Sequence, residues 1–232
     1  MLFDLRARGR RRTIKVIYMF LAVLMGGGLI FFGIGGATSG GLLDAFKSNG
    51  GGGGGNSSFE KVVARAQRGV QANPQNPRLW AVLTRAQYQD ASIGDGYDQN
   101  NGAFTAKGKQ KLVRAERSWD RYMALDPPKP DADLASLMVQ AFGPAGLSRP
   151  VKAVAAQEIV VDARPPSSGL YTNLAVLAYA AGQTRKGDLA AAKAVQLAPK
   201  DQRQSLKDTL NSAKQSAAGG ASGSPATPQG SG

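Results

Sequence analysis

From Ile14 to Ala37 the chain is apolar except for Lys15, and a dense basic cluster (Arg6, Arg8, Arg10, Arg11 and Arg12) stands directly before it. A helix needs roughly 20 apolar residues to cross a hydrocarbon core about 30 Å thick. This run has that length, and Lys15 lies near its end, where a long cationic side chain can snorkel to the headgroups. The sequence therefore predicts one transmembrane helix over 14–37 with the rest of the chain tethered to it. Cationic flanks stay on the cytoplasmic side, and no basic residue follows the run until Lys47. Residues 1–13 are then cytoplasmic and everything beyond the run is extracytoplasmic. The rival is a cleavable signal peptide, with Ala37-Thr38-Ser39 as small residues for a peptidase. Its apolar region is usually only about 7 to 15 residues, which favours the anchor. Ala22, Gly26 and Gly28 are candidates for close packing against a second membrane helix. The plainer reading is that membrane helices tolerate glycine.

Composition excludes several chemistries. The 232 residues include neither cysteine nor histidine. Disulfides, thiolate metal sites and histidine-based nucleophile schemes are therefore ruled out. No cofactor or metal is expected. Net charge is +13, but beyond the first fifteen residues 23 basic side chains face 15 acidic ones. That excess suits an acidic partner or anionic lipid. With no nucleic-acid recognition motif in the chain, nucleic acid is not an expected partner. The abundance of alanine, glycine and arginine points to a bacterial source, and so to a bacterial plasma membrane.

Low-complexity segments bound a folded region. Residues 38–56 read as a linker containing the glycine tract Gly50 to Gly55, and 217–232 as a disordered tail of small polar residues. Between them, over 57–216, the pattern is helical. Ser57 and Glu60 have capping-box spacing, predicting a helix start near Ser58. Val151 to Ala163 reads as a helix with Pro150 at its first position, although Ile159-Val160-Val161 is the most strand-like stretch. Lys109 to Leu125 is amphipathic, with Leu112, Ala115, Trp119 and Tyr122 as its apolar stripe. Lys111, Arg114, Arg117 and Arg121 cluster opposite, as a solvated face or a contact for anionic headgroups.

A repeat organises this region. Pro165 and Pro199 are 34 residues apart, and between them Tyr171, Leu174, Ala175 and Ala178 precede Gly187, Ala191 and Ala194. An earlier unit carries Trp80 and Leu83, then Ala115, Trp119, Tyr122 and Pro127, with Pro74 six residues before Trp80 as Pro165 is before Tyr171. A weaker unit runs from Leu134 and Leu137 through Ala141 to Ala153 and Pro165. Ser58 to Ala72 forms a leading half-unit, and Asp201 to Gln215, with Asp201 and Gln204 at capping-box spacing, a closing helix. These units resemble the tetratricopeptide repeat family. The departure is an insertion of about 19 residues near Ser92 to Gly108, long enough to be functional. Its Asp95, Asp98, Asn100 and Asn101 lack the spacing of a calcium loop and read as turn chemistry around Asn101-Gly102. Tyr97 and Phe104 either pin the insertion to the helices or contact a partner.

The resemblance implies an all-α fold and a concave face, lined by the first helix of each unit, that binds a protein or an extended peptide segment. The matching positions here are Arg78, Arg85 and Tyr88, then Val139 and Phe142, then Thr172, Val176 and Tyr179. The chain is thus expected to be a membrane-anchored scaffold rather than an enzyme. One alternative is an envelope-assembly or translocon-associated subunit acting mainly through its membrane helix. The other is a carboxylate-based hydrolase of envelope glycans. Against it, the three glutamates (Glu60, Glu116 and Glu158) show no convergence.

Overall fold

The computed structural model describes residues 55–221, all within one compact unit that begins at Gly54. The predicted membrane span over 14–37, with Ala22, Gly26 and Gly28, lies outside the described residues. No helix among the described residues is long and apolar enough to cross a membrane. The described region is mostly helical: α1 (Gly55–Ala72), α2 (Pro77–Ala91), α3 (Ala106–Ala124), α4 (Ala132–Phe142), α5 (Pro150–Ala163), α6 (Ser168–Ala180), α7 (Thr184–Leu197) and α8 (Arg203–Ala221).

Local chemistry sets these boundaries. Asn76, Thr105, Asp131 and Ser167 stand just before α2, α3, α4 and α6, and each side chain accepts a first-turn N–H. Pro77 and Pro150 open α2 and α5, where the missing N–H costs nothing. Three expectations shift. α1 begins at Gly55, three residues before the start expected near Ser58. Asp201 lies in a 3-10 turn (Lys200–Gln202), and the Gln204 amide donates to Asp208 instead of closing a capping box. α8 then runs to Ala221, five residues into the segment read as a tail. Ile159 to Val161 is helical, as the Pro150 start implied.

Successive helices pack as hairpins, α2 with α3, α4 with α5, and α6 with α7. α1 leans on α2, α2 also meets α4, α5 meets α6, and α8 covers α6 and α7. The order fits an α-solenoid plan, in which each hairpin buries its apolar face only against its neighbours. Two apolar clusters result. One holds Leu112, Trp119, Tyr122, Leu134, Met138 and Phe142 from α3 and α4; the other holds Val154, Leu174, Ala178, Tyr179, Ala194 and Leu210 from α5 to α8. Fully buried alanines at 115, 141, 153, 175 and 194 let the helix backbones approach closely.

Buried polar pairs fix the register of the first hairpin. The Ser118 hydroxyl donates to Gln87 Oε1 at 2.7 Å inside the core, and Lys111 Nζ meets Asp90 at 2.9 Å. The insertion between α2 and α3 is a small packed unit. A 3-10 turn (Gly94–Gly96) leads into β1 (Tyr97–Asp98), paired antiparallel with β2 (Ala103–Phe104), with Tyr97 opposite Phe104. Gly102 takes φ +61 in the hairpin loop, a left-handed conformation that suits glycine. Asp98 accepts the N–H groups of Asn100 and Asn101, the turn role read from the sequence. Phe104 is buried, edge-on to Tyr97 at 5.1 Å and to Tyr88 at 6.0 Å between ring centres. Its N–H donates to Ala145 O at 2.9 Å in the α4–α5 connection. Of the two roles open for Tyr97 and Phe104, the packing supports pinning.

Candidate functional site

The signature residues land where hairpin packing needs them. Leu83, Ala115, Trp119, Tyr122, Leu174, Ala175 and Ala178 are buried. Trp80, Tyr171 and Ala191 are half-buried, Pro127 is buried and Pro199 is exposed. Trp80 Nε1 donates to Pro74 O at 2.8 Å, which explains the six-residue spacing between them. The Tyr122 hydroxyl, burial of which pushes its pKa up, accepts the N–H of Asp131 at 2.8 Å and so ties α3 to the start of α4.

The eight residues expected to line a partner groove divide into two groups. Phe142 has no exposed surface, and Tyr88 and Tyr179 are also core residues. Tyr88 is turned inward because its ring packs on Phe104 and its hydroxyl donates to Gln140 Oε1 at 2.9 Å; burial raises its pKa. Tyr179 fills the space left by Gly187 on α7 and donates to Asp188 at 2.9 Å. Burial and that carboxylate push its pKa up to about 12. The neutral phenol is thus favoured by folding, and its contribution is present below pH 10 and lost as pH climbs through 12. Lys214 from α8, with help from Tyr179, in turn holds Asp188 below the usual carboxylate range.

Arg85 is engaged internally, its guanidinium 2.8 Å from Asp131 at the head of α4. Asp131 has two roles, since Oδ1 also accepts from Asp133 N and Leu134 N. Removing the cap and removing the ion pair should therefore differ. Asp131→Ala should cost about 1–2 kcal/mol through the lost cap, whereas Arg85→Ala, which loses a half-exposed ion pair, should cost under about 1 kcal/mol. Chemical-denaturation midpoints of the two variants provide the check. The second group, Arg78, Val139, Thr172 and Val176, keeps surface exposure on α2, α4 and α6.

One cleft was not foreseen. It holds about 460 Å³ between α3 and α5, with Trp119, Met123, Ala155 and Ile159 as an apolar floor and Asp120, Lys152, Glu158 and Asp162 around it. Lys152 Nζ reaches Glu116 at 2.8 Å and Asp120 at 2.7 Å and lies 5.7 Å from the centre of the Phe142 ring. Burial opposes its charge, but the two carboxylates outweigh burial and raise its pKa. Glu116 and Asp120 are one turn apart on α3, the only trace of this cluster in the sequence; nothing there pairs them with the first turn of α5. The cleft does place carboxylates from two helices around one space. Asp120 is bound by Lys152 and Glu158 by Lys186. Their side chains are 50% and 40% exposed. Among the described residues, no group of three or more acidic side chains could hold a metal ion. No family model matches the chain, and no curated protein or solved structure does either.

Proposed function

We propose that the chain is a membrane-anchored interaction module of tetratricopeptide type. It would hold a protein or extended peptide segment on the extracytoplasmic face of a bacterial plasma membrane. The observation that carries this reading is the hairpin stack itself. The first helices of three successive hairpins keep partly exposed side chains, Arg78 on α2, Val139 on α4, and Thr172 and Val176 on α6. A cationic and apolar strip of this kind suits an extended segment with acidic and apolar side chains. The burial of Tyr88, Phe142 and Tyr179 narrows the strip and makes it shallower. The cleft between α3 and α5 offers a second apolar floor for the same kind of partner. The reading takes the chain as non-catalytic, because the carboxylates lining that cleft are exposed and two of the three are neutralised by lysines.

Photo-crosslinking from the full chain in intact native membranes tests the proposal. Probes at Val176 and Ala155 should capture one or a few extracytoplasmic proteins, and Arg78→Glu should weaken capture at Val176. Arg78 is exposed, and among the described residues its side chain has no hydrogen bond or ion pair, so this reversal leaves the fold alone. Capture only from further probes placed within residues 14–37, with none at Val176 or Ala155, would instead move the function into the bilayer and leave the helices as a spacer.

A further inference from the structure

The charges of α3 are sorted by flank. On the side facing α5, Glu116 and Asp120 are taken up by Lys152. Arg114, Arg117 and Arg121, spaced three and four residues apart, form one exposed stripe about 10 Å long. Among the described residues, none of the three has a carboxylate in ion-pairing distance. On α1, Lys61, Arg65 and Arg68 are likewise exposed, four and three residues apart, and among the described residues none of them has a carboxylate in ion-pairing distance. The large apolar side chains exposed among the described residues are Val151, Leu189 and Leu197, none of them on α1 or α3.

We infer that the arginine face of α3 docks on anionic phospholipid headgroups. A protein partner is gripped by aromatic and apolar anchors in desolvated pockets, and this face has none. A plane of phosphates needs only unpaired cations along one side of a rod, which the stripe provides. Arginine adds a planar fork of donors that fits phosphate oxygens two at a time. The inference rests on the anchored reading, in which the tether keeps the domain at high effective concentration beside the bilayer.

The chain has no cysteine, so Gln110→Cys in full-length protein gives a unique labelling site on the exposed side of α3. The full chain is reconstituted into nanodiscs of phosphatidylcholine alone or mixed with phosphatidylglycerol. Energy transfer is then read from the Gln110→Cys dye to a headgroup-labelled lipid. A Lys207→Cys label on α8 serves as the distance control. Transfer from Gln110→Cys should rise in the anionic discs and fall with added salt. Each arginine is worth about fivefold at such a surface, so losing the three charges should lower the docking equilibrium constant about a hundredfold, and Arg114→Glu, Arg117→Glu and Arg121→Glu together, which also add three negative charges, should lower it further. The corresponding triple glutamine variant keeps the helix while removing the charge and should also lose docking. Equal transfer in the two lipids would overturn the inference and leave the stripe to an acidic protein surface. Undiminished transfer from both triple variants would overturn it as well. The anchor is read separately. A chain that fails to co-elute with neutral discs refutes the membrane span alone, and its lipid-dependent binding to anionic discs still reports on the stripe.

Discussion

Phe142→Ala should destabilise the fold by about 3–5 kcal/mol, one of the largest single effects available in this chain. The side chain is the largest among those with essentially no exposure, at the last position of α4. It packs in the first apolar cluster with Leu112, Trp119, Leu134 and Met138, and Lys152 lies over its ring. Truncation removes the apolar area and leaves a cavity that the hairpins on either side cannot close without moving their own packed helices. A chemical-denaturation series on the full chain in detergent gives the result directly. A change below about 1 kcal/mol would show that the ring is not in the core and would restore it as a partner contact. Val139→Ala makes the internal comparison. Its side chain is half-buried on the same helix and should cost far less.

The placement of Phe142 also explains what the sequence could and could not reveal. α3 was legible in detail because its face is strongly divided: Leu112, Ala115, Trp119 and Tyr122 recur at helical spacing against lysine, arginine and glutamate, and all four are buried. α4, α5 and α6 read ADLASLMVQAF, PVKAVAAQEIVVDA and SGLYTNLAVLAYA, apolar around most of their circumference. A helix of that kind is buried on more than one side, and its period does not say which side meets a partner. Family positions alone then assigned Tyr88, Phe142 and Tyr179 to a groove that the packing denies them. The boundary marked by Pro150 was local and therefore readable. Arg85 with Asp131, or Lys152 with Glu116, joins residues more than thirty positions apart, and no local pattern announces such pairs.

Gly108→Ala should destabilise the chain by about 1–3 kcal/mol, reversing the sign that helix propensity predicts. Glycine to alanine within a helix ordinarily gains about 1 kcal/mol. Gly108 lies in the first turn of α3, directly against the 3-10 turn of the insertion, and an added Cβ would collide with the backbone carbonyl of Gly96. That carbonyl cannot swing aside, because its oxygen accepts the N–H of Thr105 at 3.0 Å. A Cβ on Gly96 would in turn meet the backbone carbonyl of Ala91, so the turn is also packed against the end of α2. The substitution must therefore lift the insertion off α3, loosening Phe104 and its hydrogen bond to Ala145 in the next hairpin. Gly169→Ala is the matched control, exposed in the first turn of α6 with nothing within 4 Å of the added carbon. It should stabilise by about 0.5–1 kcal/mol. Urea midpoints that move in opposite directions for these two substitutions would establish the insertion as a packed part of the first hairpin. Midpoints that both rise would mean that the Gly96 turn does not rest on α3 in solution.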